Sequence, residues 1–297
     1  MELCGVRLPN PTVLCSGYLG VSAGSLAMCA RAGAGAVASK SCSLAAKRGH
    51  ELPAVIYWDN IVMNAVGLSN PGVEETVAEL REYKRMSQVP LIASVFADSP
   101  ENFAAVAVKI SEAAPDIIEL NLSCPHAAKG DIVFADSPEA AAEVVNRVKS
   151  EVKMPVFAKL SPNVRNIAAI AKACVDAGAD GITAVNTLGP GMRIDIQARK
   201  PVLGNKFGGV SGPAIKPIAL RCVYEIARAV DVPIIGMGGI RTGEDAVEFI
   251  MAGASAVGVG SALIWHGLGA FRTISDGIDR FMREHGYSKI EEMRLEE

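Results

Sequence analysis

Eight short apolar runs recur along the chain, at residues 12–17, 36–41, 90–95, 117–123, 155–161, 181–187, 233–239 and 256–261, each followed by a helical pattern. Stretches such as 137–152, 164–177, 215–229 and 242–252 carry apolar residues at three- and four-residue spacing and read as amphipathic helices. Strands buried on both faces give continuous apolar runs, and strand alternating with helix means a parallel sheet. Three helices run into similar punctuation, Arg31-Ala32-Gly33-Ala34-Gly35, Asp176-Ala177-Gly178-Ala179-Asp180 and Met251-Ala252-Gly253-Ala254-Ser255, where glycine can take a left-handed cap before the next strand. Eight such units predict a (β/α)8 barrel, with a doubly wound open sheet as the alternative. Two connections, 42–88 and 188–213, are longer than ordinary loops. They follow the second and sixth strands and so fall at the C-terminal mouth, where they are expected to cover a substrate.

The 297 residues contain no linker or low-complexity stretch, which suits one domain spanning 1–297. Lys+Arg 29 against Asp+Glu 32 leaves a net charge of -3, and no basic run is interleaved with aromatics. A small molecule is therefore the expected partner, and nucleic acid is not. Two charge-free stretches, 8–30 and 249–271, have the length of a membrane span. The first contains Asn10-Pro11 and the second is rich in glycine and holds His266, so both read as barrel strands with their flanking turns. Seven cysteines, at 4, 15, 29, 42, 124, 174 and 222, form no Cys-x-x-Cys or Cys/His pair at ligand spacing. That predicts free thiols in a reducing cytoplasm and no metal site.

Chemistry concentrates at the strand ends. Gly236-Met237-Gly238-Gly239-Ile240 and Gly258-Val259-Gly260-Ser261-Ala262 suggest a phosphate cradle, because glycines let backbone N–H groups approach phosphate oxygens and a helix start adds its positive end. The fourth run continues as Glu119-Leu120-Asn121-Leu122-Ser123-Cys124-Pro125-His126, placing a thiol just past a strand, where it can act as nucleophile or general base. The fifth ends in Ala158-Lys159-Leu160, a lysine in apolar surroundings that needs a partner. A flavin offers one, since reduction develops negative charge along its N1 and O2 edge. A Schiff-base lysine and a structural ion pair are the other readings. Lys40, Asn186 and Thr187 sit at further strand ends, and the loop from Asn64 to Gly72 suits either a polar heterocycle or an ordinary turn. No G-x-G-x-x-G opens a βαβ unit, so electrons bound for a nicotinamide must leave by another route.

These residues resemble the dihydroorotate dehydrogenases over nearly the whole chain. The resemblance is carried by Asn64-Ala65-Val66-Gly67-Leu68 with Asn70-Pro71-Gly72, Asn121-Leu122-Ser123-Cys124-Pro125, Ala158-Lys159-Leu160, Asn186-Thr187, Gly208-Gly209-Val210-Ser211-Gly212-Pro213-Ala214, Gly238-Gly239 and Gly260-Ser261. It implies oxidation of dihydroorotate to orotate in pyrimidine biosynthesis, with Cys124 as the base at C5 and hydride passing from C6 to N5 of FMN. It further implies that Lys40, Asn64, Ala65, Val66, Gly67, Leu68, Asn121, Asn186 and Thr187 hold the substrate. Ser16, Gly17, Lys40, Ser41, Asn121, Lys159, Thr183, Gly212, Gly238, Gly239, Gly260 and Ser261 would hold FMN. The segments 192–196 and 199–203 look like the soluble, NAD-linked subclass, which implies a homodimeric core working with an iron–sulfur and FAD subunit. His126 departs from the asparagine that many members carry there. Cys-Pro-His also occurs in the dihydropyrimidine dehydrogenases, which keeps a dihydrouracil substrate open, and a Schiff-base or isomerase barrel on a sugar phosphate is the more distant alternative.

Overall fold

The computed structural model describes residues 1–123, 134 and 136–295. All eight apolar runs contain a barrel strand: β1 (Thr12–Leu14), β2 (Ala36–Ala38), β3 (Leu91–Val95), β4 (Ile117–Asn121), β5 (Val156–Leu160), β6 (Gly181–Ala184), β7 (Ile234–Met237) and β8 (Ala256–Val259). Each pairs in parallel with its neighbours in sequence, and β8 returns to β1 to close the barrel. Closure excludes the open sheet. Seven of the eight end one to three residues before the runs that predicted them, and β3 ends with its run at Val95.

The helices are α1 (Ala23–Arg31), α2 (Val73–Met86), α3 (Pro100–Ile110), α4 (Pro138–Lys149), α5 (Ile167–Asp176), α6 (Lys216–Ala227), α7 (Gly243–Met251), the short α8 (Ala262–His266) and α9 (Ala270–His285). Ser22, Ser99, Ser137, Asn166 and Thr242 cap α1, α3, α4, α5 and α7 by accepting from a backbone N–H three residues on. One device repeats at the N-terminal ends of the strands. Asp116, just before β4, accepts from Lys84 of α2 and from the Leu91 N–H that opens β3, while Asp180, just before β6, accepts from Lys149 of α4 and the Val156 N–H that opens β5. Each aspartate thus ties a helix and a strand to the strand that follows.

Side chains alternate along every strand. Leu14, Val37, Leu91, Ile118, Leu120, Ala158, Ile182 and Val257 face the helices. Val13, Ala36, Ile92, Ile117, Phe157, Ile235 and Ala256 fill the barrel, and Leu3 and Leu8 close its lower end from a hairpin pairing Glu2–Leu3 with Val6–Arg7. Continuing the inward positions toward the mouth brings Ser94, Glu119, Asn121, Lys159 and Thr183, all buried. The interior is apolar below and polar above.

The two long connections meet. Each supplies two strands to one four-stranded antiparallel sheet, in the order Leu188–Gly191, Gly208–Ser211, Ile61–Asn64, Val55–Trp58. The Arg193 guanidinium lies 4.3 Å from the Trp58 ring centre, a further link between the insertions. Much of the first connection's length is α2. Among the described residues, no helix is long and apolar enough to cross a membrane, and no cluster of three or more His, Cys, Asp or Glu could hold a metal.

Candidate active site

Most of the polar upper interior is one connected hydrogen-bond system. The Lys159 ammonium donates to Ser16 Oγ at 2.7 Å and lies 3.5 Å from Glu119 Oε1, with both Lys159 and Glu119 almost wholly buried. Ser94 Oγ donates to the same Glu119 oxygen at 2.9 Å. From Ser94 the chain continues through Ser41 Oγ at 2.8 Å, Asn121 Nδ2 at 3.4 Å and Asn186 Nδ2, which meets Asn121 Oδ1 at 3.1 Å. It ends where the Thr187 backbone N–H donates to Asn186 Oδ1 at 2.8 Å.

Its direction is set from both ends. A backbone N–H only donates, so Asn186 Oδ1 must face Thr187 and Asn186 Nδ2 must face Asn121. Asn121 then accepts from Asn186 and donates to Ser41. A carboxylate only accepts, so Ser94 spends its single O–H on Glu119 and Ser41 must donate to Ser94. The amides of Asn121 and Asn186 are therefore fixed. Among the described residues each keeps one N–H for a ligand, so this wall offers donors and suits carbonyl or carboxylate oxygens.

Lys40 lies just past β2, where its N–H donates to Gly20 O at 2.8 Å. Burial and the neighbouring Lys159 ammonium both push its pKa down from 10.5. Among the described residues its side chain makes no hydrogen bond, so it is a cation available to an anionic ligand. Cys15, also in this interior, contacts Met237 Sδ at 3.6 Å. Burial pushes its thiol up to about 12, with Lys159 opposing and Glu119 adding. It stays protonated at neutral pH and is no base.

The glycines at the ends of β7 and β8 pack closely against neighbouring elements. Gly238 (φ 127°), Gly239 (φ 88°) and Gly212 (φ 96°) take left-handed backbone, and a Cβ on Gly239 would lie 2.9 Å from Gly212 O. Gly212 belongs to the inserted sheet's end and Gly239 to the end of β7, so the tertiary fold joins them. A Cβ on Gly260 would come within 3.1 Å of the Tyr18 ring, and Ser261 precedes α8. Gly17 (φ 97°) has open space where its Cβ would be. Thr183 pairs in register between Lys159 and Ile235, and its buried hydroxyl has no partner among the described residues. Closely packed glycines, an orphaned hydroxyl and a buried cation fit a flavin-type cofactor.

The inserted sheet carries the rest. Asn64 pairs with Gly209, and a Cβ on Gly209 would strike the Thr187 side chain, so Asn64 and Thr187 approach each other through a glycine. Beyond Asn64, Ala65 N–H donates to Ala54 O at 2.7 Å and Val66 O accepts from the His50 N–H at 3.2 Å. Gly67 (φ 69°) and Leu68 (φ 57°) turn the loop back, and Asn70 holds it by accepting from the Ser43 and Gly72 N–H groups. The structure thus links Ser16, Ser41, Asn121, Lys159, Asn186 and Thr187 directly, puts Lys40 beside them, and brings Asn64 to Thr187.

Cys124 and His126 lie outside the described residues. Ser123, immediately before Cys124 in sequence, donates through Oγ to Lys159 O at 3.2 Å. Sequence reasoning assigned no role to Ser94 or Glu119. Their signal was present: both are polar inward positions of otherwise apolar strands.

A closed barrel with its polar groups gathered at the C-terminal strand ends, beneath a sheet built from inserted loops, defines a (β/α)8-barrel enzyme. The family model described as "Dihydroorotate dehydrogenase" matches residues 1–282. The chain belongs to the dihydroorotate dehydrogenase family. It is 48% identical over 293 residues to the "Dihydroorotate dehydrogenase B (NAD(+)), catalytic subunit" of Methanothermobacter thermautotrophicus, covering 98% of this chain and 96% of that one. Proteins of the same description from Pyrococcus abyssi (45%, covering 99% and 97%) and Methanocaldococcus jannaschii (46%, covering 95% and 93%) are similar over nearly full length.

Proposed function

We propose that this chain is the FMN-dependent catalytic subunit of a dihydroorotate dehydrogenase linked to NAD, oxidising dihydroorotate to orotate in pyrimidine biosynthesis. The observation that carries the reading is the directed donor wall of Asn121 and Asn186 beside two lysines, which is complementary to an anionic ring bearing carbonyl groups. Bound FMN supplies the two-electron acceptor. Gly212, Gly238, Gly239, Gly260 and Ser261 would hold its phosphate, Ser16, Gly17, Ser41 and Thr183 its polar groups, and Lys159 the edge where negative charge develops. Lys40 would face the substrate carboxylate, with Asn64, Asn121, Asn186 and Thr187 holding ring oxygens and the loop Ala65, Val66, Gly67 and Leu68 closing over them.

Cys124 follows Ser123 and carries the base assignment by its position in the family motif. As thiolate it would take the C5 proton and keep it on sulfur. The high pKa of Cys15 removes the other thiol in the described site from that role. A Schiff-base reading of Lys159 is disfavoured by its contacts: the head group donates to Ser16 and faces the buried Glu119 carboxylate. The NAD(+)-linked catalytic-subunit description of the relatives, with no dinucleotide fingerprint in this sequence, supports a separate iron–sulfur and FAD subunit on the path to NAD. We also take the core as a homodimer of single-domain barrels in the cytoplasm.

His126 favours one second reading, a dihydrouracil-type substrate without a carboxylate. The purified chain loaded with FMN should reduce an artificial acceptor with dihydroorotate and not with dihydrouracil, and Cys124→Ser should slow turnover at neutral pH by at least about tenfold, because serine is a far weaker acid. Preference for dihydrouracil would reassign the substrate. A colourless protein that gains no flavin absorbance would end the flavoenzyme reading.

A further inference from the structure

Glu119 has no role in the chemistry described above, yet it is a buried carboxylate at the junction of the site's two halves. Through the one oxygen Oε1 it faces the Lys159 ammonium and accepts the last hydrogen bond of the chain running from Thr187 through Asn186, Asn121, Ser41 and Ser94. We propose that Glu119 is a positioning residue that orients the substrate-binding amides and holds the flavin-side lysine in place, coupling the two ligand sites through one carboxylate. This inference rests on the flavoenzyme reading.

The physical basis is that the chain has only one self-consistent direction. The Thr187 N–H closes one end as a donor, so the other end must close on a group that accepts from Ser94. Ser94 and the Lys159 ammonium meet the same oxygen, Glu119 Oε1, at 2.9 Å and 3.5 Å. A glutamine can place its amide oxygen there and accept from both, but it carries no negative charge to balance Lys159. With its NH2 there instead, it meets two donors. A leucine removes the acceptor as well as the charge and leaves Ser94 and Lys159 both unpaired.

Truncating Ser94 breaks the chain differently. Ser94→Ala leaves the pair of Glu119 and Lys159 intact while Ser41 loses its acceptor. The Ser41 hydroxyl can then rotate, and the Asn121 amide is anchored only from the Asn186 end.

The two variants therefore separate the two roles, and three measurements on the full-length protein read them. FMN binding to flavin-stripped protein is followed by quenching of FMN fluorescence, orotate binding to the loaded protein by the flavin absorbance change, and the thermal midpoint by calorimetry. Ser94→Ala should weaken orotate by about 3- to 10-fold, the worth of one net hydrogen bond. Its FMN affinity should stay within about twofold, since the Lys159 ion pair is untouched. Its KM for dihydroorotate should rise by a larger factor than kcat falls. Glu119→Gln should weaken FMN by about tenfold or more, because Lys159 loses its charged partner, and should weaken orotate by less, because the amide oxygen still accepts from Ser94. Glu119→Leu, which removes the acceptor too, should weaken both ligands by about tenfold or more. Glu119→Asp, which keeps the acceptor at shorter reach, should recover part of both affinities. Orotate affinity unchanged in Ser94→Ala, or a lower thermal midpoint in Glu119→Gln with both affinities at wild-type level, overturns the role of Glu119. Wild-type protein that binds neither FMN nor orotate overturns the flavoenzyme reading instead.

Discussion

Lys40 and Lys159 place two ammonium groups in one buried mouth, and only Lys159 has a counter-ion among the described residues. Burial and this repulsion lower the Lys40 pKa from 10.5, so the free site gives up that proton at a lower pH than an exposed lysine would. The protonated form is the one that attracts an anion. Orotate affinity should accordingly be full below the lowered pKa and fall as pH rises through it, and Lys40→Ala should bind weakly and without that alkaline loss. Titrating the dissociation constant between neutral pH and about 10.5 checks this; an alkaline decline that persists in Lys40→Ala would assign it elsewhere. At this scale the residue types were legible. Lys40, Asn121, Lys159, Asn186 and Thr187 stand out as polar groups at apolar strand ends. Which way the amides point was not, because it depends on partners 65 and 80 residues away in sequence.

Among the elements, α7 and α9 show how backbone contact replaces side-chain packing. Gly243 and Gly277 face each other across the helix pair, and a Cβ on Gly277 would lie 2.7 Å from Gly243 Cα. Gly277 sits on the buried face of α9 with Phe271, Ile274 and Ile278. In an exposed helix, replacing glycine by alanine gains up to about 1 kcal/mol through propensity. Here the sign should reverse: Gly277→Ala should destabilise, and Gly277→Val by about 1–3 kcal/mol, as denaturant unfolding would show, because the helices must separate. A stabilised Gly277→Ala would mean the pair is free to spread. The helix periodicity forecast α4 to α7 to within a few residues, their ends set by caps such as Ser137 and Thr242. Nothing in that periodicity marks which glycines touch.

For the whole molecule, function and stability occupy opposite ends of the barrel. The N-terminal hairpin seats Leu3 and Leu8 beneath Ile117, Phe157 and Ile235, whereas the site lies at the other rim. Leu3→Ala should lower unfolding stability by about 2–5 kcal/mol, while the folded fraction keeps its FMN and orotate affinities. Equal losses of binding and stability would show that the plug and mouth are not independent. The sequence by itself determined eight buried strands, their alternation with helices, the positions of the two insertions and the cluster of polar groups at strand ends, because these follow from local periodicity and near-neighbour chemistry. The tertiary structure alone decided that the two insertions pair into a single sheet, that Gly212 packs against Gly239, and that Glu119 terminates a chain begun at Thr187. Those arrangements depend on barrel closure, which brings residues far apart in sequence within hydrogen-bond reach and lets acceptor-only and donor-only groups at its two ends dictate every bond between them.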